Sequence, residues 1–420
     1  MPGKDLQIFE QLPRSPLLSY LARAGEQQRR FHYTLSALEP QALWQWITQY
    51  LGHRIGFRHK FLTYDGTSGD RGVYQLGDDS VIGGRPDSRR EIRVSLAGDW
   101  GTGTDEAAEV AAGIEKFAPH YTIHLGDVYY VGEKNEVEEN CLGQPPPNCR
   151  FTPCRWPIGS VGSFALNGNH EMYALGKAYF DVFLPTLGMR TNVGGGPSGQ
   201  KASFFCLENE FWKVIGLDTG YNSIGIPVIE YLFSPSCKLR KEEVQWLQDQ
   251  LKLKTDSTHG LIVLTHHQYC SAFDSEYPST AQQLSDLIGR PVLWLWGHEH
   301  RMAIYGKYSR GKGIQCYGRC IGHGGMPVDI NPKVKRADRP LVAYDNRQYD
   351  SPENITVGYN GFANLTFQGD QVVIEYRDLY DTLLLSETWQ VRNGNLSGTA
   401  RLGPPAPGLT VHTDVKTATS

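Results

Sequence analysis

From residue 91 onward, short apolar runs alternate with polar or glycine-rich stretches: "EIRVSLAGD", "YTIHLGD", "SFALNGNH", "WKVIGLDTG", "GLIVLTHH" and "PVLWLWGHEH". Runs of this length that stop at Gly, Asp or Asn read as strands. Between them, 104–117 ("TDEAAEVAAGIEKF") and 241–253 ("KEEVQWLQDQLKL") carry helical spacing. Thr104 stands three residues before Ala107, with Asp105 and Glu106 in the first turn, which suits a helix N-terminus. Alternation of this kind predicts an α/β fold with its site at the carboxyl ends of the strands.

The pattern changes toward both ends. Up to about residue 60 the chain reads helical: Leu43, Trp46, Ile47, Tyr50 and Leu51 recur at helical spacing, and Gly52 suits a C-cap. This predicts a helix laid on the main domain, a partner-binding helix being the alternative. Residues 61–90 are rich in Gly, Asp and Ser and read as an irregular connection. After about residue 300, "MAIYGKYS", "KGIQCYGRC", "NGFANLTFQGDQVVIEYRD" and "DTLLLSETWQV" predict consecutive strands of a sheet completing the same domain. From about 398, "GPPAPG" and small polar residues predict an extended or disordered tail. The expected divisions are 1–90, 91–397 and 398–420, with an insertion at about 131–160.

Composition narrows the function class. The 420 residues carry 41 basic and 45 acidic side chains, a net charge of −4 that offers no electrostatic case for nucleic acid or an anionic membrane. No run reaches the ~18 apolar residues a membrane helix needs, and the start "MPGKDLQIFEQLPRSPLLSYL" lacks the order of a signal peptide. At face value this predicts a cytoplasmic protein, or a secreted one whose leader has been removed. The eight cysteines leave both open, because the clusters at Cys141, Cys149 and Cys154 and at Cys316 and Cys320 suit disulfides or thiols equally. No CxxC pair supports a structural zinc, and the sequons at Asn354, Asn364 and Asn395 decide nothing.

The strand-end loops hold the chemistry: Asp99, Asp127, Asn169 with His170 and Glu171, Asp218, His266 with His267, and His298 with Glu299 and His300. Singly, each has an ordinary explanation as a cap, a turn residue or a hydrogen-bonder. Jointly, consecutive strand ends each supply a carboxylate, an amide or an imidazole. That donor set suits borderline-hard transition metals, with no Cys in these loops to favour soft ones. The donors exceed what one ion needs, so two ions sharing a carboxylate are expected, ~3.5–4 Å apart and suited to phosphoryl displacement.

In order over 98–300, "GD" (98–99), "GD" (126–127), "GNHE" (168–171), "VLTH" (263–266) and "GHEH" (297–300) resemble the calcineurin-like metallophosphoesterase superfamily. The resemblance implies a four-layer α/β/β/α sandwich. Much of that superfamily has Asp-x-His in the first block, where this chain has Gly101. The second block, "GDVYY", is similar to the Gly-Asp-x-x-Tyr of the purple acid phosphatases, and the first, fourth and last blocks fit that subfamily too. The resemblance implies Asp99, Tyr130 and His300 on a first ion, Asn169, His266 and His298 on a second, and Asp127 bridging. Tyr130 would be a tyrosinate on Fe³⁺, with Tyr129 a core or supporting residue. The other ion would be Fe²⁺, Zn²⁺ or Mn²⁺. Hydrolysis of a small phosphate monoester by a metal-bound hydroxide is then the expected reaction.

His170 would bind phosphate or assist the leaving group. Plant and animal members carry a further proton-donating His where this chain has Ser275, so His267 and His323 become candidates for that role. Asp218 reads as structural, with Tyr221 a possible pocket residue. A phosphodiesterase with the same metals is the alternative, as is a non-catalytic metal-binding interaction protein. The Gly-Asp-x-x-Asp-Arg-Gly of Ser/Thr protein phosphatases is missing, and "GDRG" at 69–72 lies upstream of the first expected strand of the domain.

Overall fold

The computed structural model describes residues 56–66, 69–77, 90–144, 154–190, 196–223, 235–350, 356–403 and 409–411. The expected N-terminal helix, Cys149 and Asn354 lie outside them. Among the described residues two large sheets dominate. The first runs, in spatial order, Val73–Gln75, Phe205–Glu208, Trp212–Gly216, Gly260–Thr265, Val292–Trp296, Cys316–Ile321, Met302–Tyr308, Leu341–Asp345 and Leu409–Val411. The second runs Asn395–Leu402, Leu383–Arg392, Gln371–Asp378, Gly361–Gln368, Ile92–Ala97, Tyr121–His124, Gly162–Ala165 and Gly188–Met189. At the heart of each sheet the strands are parallel: Trp212–Gly216 through Cys316–Ile321 in one, Ile92–Ala97 through Gly162–Ala165 in the other.

The sheets pack face to face, because their central strands are apolar on both sides. Val214, Ile262, Leu264, Leu293 and Leu295 meet Val94, Leu96, Ile123 and Phe164 in one continuous core. The opposite faces of the same strands bury Ile215, Val263, Trp294 and Trp296 beneath Trp246 and Leu247 of helix Lys241–Asp249 and Ala281 and Leu284 of helix Ser279–Ser285. On the outer face of the second sheet, Ala97 and Ala165 lie under Ala107, Val110 and Ile114 of helix Asp105–Phe117. Helix, sheet, sheet, helix: the fold is the expected four-layer α/β sandwich. Strands buried on both faces read as unbroken apolar runs such as "GLIVLT", whereas Gln371–Asp378 alternates buried and half-buried positions.

Thr104 caps helix Asp105–Phe117, its side chain accepting from Ala107 N. Four elements depart from the sequence reading. The helix from Lys241 stops at Asp249, and the chain reverses through Lys252 (φ 51°) so that Leu251 and Leu253 return to the core. Val73–Gln75, expected to be irregular, pairs in parallel with Phe205–Glu208. The strands after residue 300 divide between the sheets: Met302–Tyr308 and Cys316–Ile321 join the first, and Gly361–Gln368 joins the second beside Ile92–Ala97. Their backbone groups complete two open edges, which a local pattern cannot distinguish from one. Within the expected tail, 398–402 belong to a hairpin with Leu383–Arg392, and Leu409–Val411 pairs with Leu341–Asp345. No described helix is long and apolar enough to cross a membrane.

Candidate metal centre

The loops after Ala97, His124 and Ala165 in one sheet and after Thr265 and Trp296 in the other converge at the same end of the sandwich. Backbone bonds tie them: Asp99 N donates to Gly126 O (3.0 Å), and Gly297 N donates to His266 O (3.1 Å). Asp99, Asp127 and His298 all adopt left-handed backbone, with φ of 58°, 71° and 66°. Non-glycine residues hold that conformation at a cost of order 1–3 kcal/mol, and such strain gathers at functional sites. Here the sharp reversals turn three polar side chains back over the strand ends. Neighbouring glycines give them room: a Cβ at Gly168 would stand 2.1 Å from Asp127 Oδ1, and one at Gly297 2.7 Å from Asp99 Oδ2.

One cluster forms around Asp99. The Tyr129 hydroxyl donates to Asp99 Oδ1 at 2.7 Å, and lies 3.1 Å from Asp127 Oδ2 and 3.1 Å from His300 Nε2. His300 Nε2 is itself 3.5 Å from Asp99 Oδ1. The phenol that reaches the carboxylates is therefore Tyr129, not the expected Tyr130. Tyr130 is bound through its backbone, its N–H donating to Glu136 and its carbonyl accepting from His170 Nδ1. Val128 forms a bridge with Gly101, so the next residue, Tyr129, turns inward. A Cβ at Gly101 would stand 3.1 Å from Asp127 O and Val128 Cα, a tight fit against the loop that carries Tyr129.

A second cluster surrounds the Asn169 amide. Asn169 Nδ2 donates to the Tyr173 hydroxyl (2.7 Å), which aims Oδ1 at His266 Nε2 (3.1 Å) and His298 Nδ1 (3.0 Å). His266 Nδ1 donates to Leu125 O (2.9 Å), so that Nε2 faces Asp127 Oδ1 at 3.2 Å. An imidazole whose other nitrogen is held by a carbonyl is in the tautomer a metal requires. Asp127 lies between the clusters, one oxygen toward Tyr129 and the other toward His266.

The electrostatics favour a cation. Burial opposes ionisation of Asp127, yet His266 and His170 hold its carboxyl well below the usual range. Burial opposes charge on His266 also, but Asp127 pushes its pKa up to about 10. A pocket that draws a proton this strongly onto an imidazole competes equally for a metal ion. Asp99, Asp127 and His266 present ligand atoms within 4.8 Å of one another. Two atoms each ~2.1 Å from one ion at right angles stand about 3.0 Å apart, the spacing of Asn169 Oδ1 from both imidazoles. The residues present fit metal binding.

The calcineurin-like phosphoesterase family model matches residues 92–302, just over half of the chain, and spans every one of these donors. The chain belongs to the calcineurin-like phosphoesterase family. That family is one of hydrolases and its superfamily typically binds two metal ions. Among solved structures, the chain is similar to a purple acid phosphatase from yellow lupin (Lupinus luteus) seeds, at 14% identity and TM-score 0.44 over 74% of this chain and 53% of that one. It therefore spans about half the length of the lupin enzyme. It is also similar to GAP50, the anchor in the inner membrane complex of Plasmodium (11%, TM-score 0.47, 72% of this chain and 89% of that one). A dimetal phosphatase from Danio rerio aligns at 11% identity and TM-score 0.39, over 69% of this chain and 96% of that one. No curated protein sequence matches the chain.

The remaining candidates of this phosphoesterase divide. His170 is at the site, its Nδ1 donating to Tyr130 O (2.6 Å), its Nε2 3.7 Å from Asp127 Oδ2, and its ring against Tyr129. His267 is buried beside His266 and His298. His323 is not there. Its backbone follows Gly322 past Asp99, but the imidazole lies buried near the charges of Asp345, Arg347 and Asp378. Burial holds its pKa down to about 4. Asp218 is structural, accepting from Ser203, Asn167 and Tyr221 N, and Tyr221 packs on Phe61.

Glu171, singled out in the sequence without a role, takes one here, and Glu136, Asn140 and Tyr277 escaped the sequence reading. The Glu171 carboxylate accepts from Asp127 N and Gly168 N, joining two loops, and burial followed by Asp127 pushes its pKa up to about 8. Glu136 accepts from the N–H groups of Tyr130, Val131 and Glu133, and Asn140 donates to Tyr129 O, so helix Lys134–Asn140 of the insertion braces the tyrosine segment. The Tyr277 hydroxyl stands 3.3 Å from His298 Nε2. Its only sequence signal is its place two residues after Ser275.

Proposed function

We propose that this phosphoesterase is a dinuclear, metal-dependent phosphomonoesterase of purple acid phosphatase type acting on a small phosphorylated substrate. The observation that carries the reading is the Tyr129 hydroxyl, set among Asp99, Asp127 and His300 where many superfamily members place an imidazole. Asp99, Tyr129 and His300 would hold a ferric ion, Asn169, His266 and His298 a divalent one, and Asp127 would serve both. When bound, such a pair supplies an activated water and neutralises charge that develops on the phosphoryl oxygens.

The protein's own residues do the positioning. Leu125 O and Tyr173 orient His266 and Asn169, and Glu171 locks the loop of Asp127 to that of Gly168. His170, with Nδ1 held by a carbonyl, presents Nε2 beside Asp127 to a phosphate oxygen or the leaving group. Parallel assays on p-nitrophenyl phosphate and its bis ester test the reading. Preferential monoester hydrolysis, lost in Asn169→Ala, supports it; preferential diester hydrolysis makes the protein a phosphodiesterase on the same site. Activity unchanged in Asn169→Ala removes catalysis from this site altogether.

A further inference from the structure

We propose that His267 is a ligand of the second ion, completing with His266 and His298 a three-imidazole set that selects zinc. The proposal rests on the dinuclear reading above. The three residues offer nitrogen atoms that all lie within 4.8 Å of one another. Their ring centroids stand 4.9, 5.2 and 4.6 Å apart. Imidazoles bound to one ion through nitrogens at ~2.0–2.1 Å, with angles between about 90° and 110°, place their centroids roughly 4.5–5.2 Å apart. All three separations fall in that span.

The surroundings of His267 set its ring for this role. The side chain is 2% exposed. Its Nδ1 lies 3.0 Å from Thr219 Oγ1, and the same hydroxyl oxygen accepts from His267 N at 3.1 Å. With Nδ1 engaged, Nε2 is the nitrogen left for the cluster. The Tyr277 ring covers the imidazole at 4.9 Å. His266 Nε2 and His298 Nδ1 already converge on Asn169 Oδ1, and the His267 ring lies against both, so a cation beside that amide oxygen is within reach of all three imidazoles. Three imidazoles and the Asn169 amide oxygen suit zinc better than the oxygen-preferring manganese. A nitrogen committed to an ion cannot pass a proton to a leaving group, so this role replaces the expectation of His267 as proton donor.

The test uses the metal-free full chain titrated calorimetrically with Zn²⁺, in wild type, His267→Phe, His267→Cys and Asn169→Ala. His267→Phe keeps an aromatic ring against Tyr277 and His298 but has no donor. It should weaken one zinc site by more than the ~10–100-fold that loss of an outer-shell partner costs. His267→Cys should retain zinc and, loaded with Co²⁺, show a sulfur-to-cobalt charge-transfer band absent from wild type. Zinc affinity unchanged in His267→Phe overturns the proposal, as does a Cys variant without that band, which stands even if the Phe variant fails to fold. If His267→Phe is unchanged while Asn169→Ala weakens zinc, the dinuclear reading survives without His267. If Asn169→Ala is unchanged as well, both fall.

Discussion

The Tyr129 hydroxyl and the Asp99 carboxylate meet at 2.7 Å although they belong to loops after different strands of the second sheet. The contact exists because Ile92–Ala97 and Tyr121–His124 are parallel neighbours whose carboxyl ends lie side by side, and because left-handed backbone at Asp99 and Asp127 turns both loops back over the sheet. It gives Gly101 its meaning. Gly101 itself lies close against Val128, and the phenol enters the cluster from that adjacent loop.

Gly168→Ala should disable the site without replacing a proposed ligand. The new methyl would stand 2.1 Å from Asp127 Oδ1 and 2.8 Å from Asp127 N, both fixed by other bonds. Overpacking of this kind costs about 1–3 kcal/mol, and the carboxylate must leave its place between the clusters. Metal content after dialysis and phosphatase activity should both fall at least tenfold. Wild-type metal content would show that Asp127 does not need that position.

His323→Leu should leave activity within about twofold and raise stability at acid pH, because burial disfavours the charged imidazole. The gain should depend on pH. His323 has its pKa depressed to about 4 against an ordinary 6.5, so the folded protein binds fewer protons than the unfolded chain between those values. Wild type should therefore lose stability relative to the variant as pH falls from 6.5 toward 4, measured by urea unfolding. A tenfold loss of activity would return His323 to the catalytic pocket.

Asp218→Asn tests the hydrogen-bond hub beside the site. Burial pushes the Asp218 carboxyl up to about 6 from an ordinary 3.8, against bonds from Ser203, Tyr221 N and Asn167. A raised folded pKa means that the group's stabilisation is complete below pH 3.8 and is lost as pH rises through 6. The amide does not titrate. Wild type should therefore lose about 3 kcal/mol relative to the variant between pH 4 and pH 7, by urea unfolding at each pH. A difference flat with pH would mean the carboxylate is ionised throughout.

The strands at the heart of both sheets were legible because burial on two faces writes unbroken apolar runs, and the loops that converge at their ends because each polar residue follows such a run directly. The helix from Asp105 was legible from Thr104 and the acidic first turn. Other features depend on relations that no local pattern carries. The resemblance to a Gly-Asp-x-x-Tyr block pointed to Tyr130, whereas the bridge between Gly101 and Val128 decides which of two adjacent tyrosines turns inward. His323 sits in a Gly-rich loop after a strand, like the residues of the cluster, but its ring lies near the charges of Asp345 and Arg347. Val73–Gln75 is a strand only because Phe205–Glu208 offers it an edge. Tyr277 reaches His298 through a fold in the chain between Ser271 and Pro278 that leaves no periodic mark.

The most direct test is the visible absorption spectrum of the iron-loaded, air-exposed full chain, compared with Tyr129→Phe and Tyr130→Phe. A phenolate on Fe³⁺ gives a purple to pink charge-transfer band. The band should be present in wild type and Tyr130→Phe and absent from Tyr129→Phe. A colourless wild type at full iron occupancy, or a band that survives in Tyr129→Phe, would contradict the account.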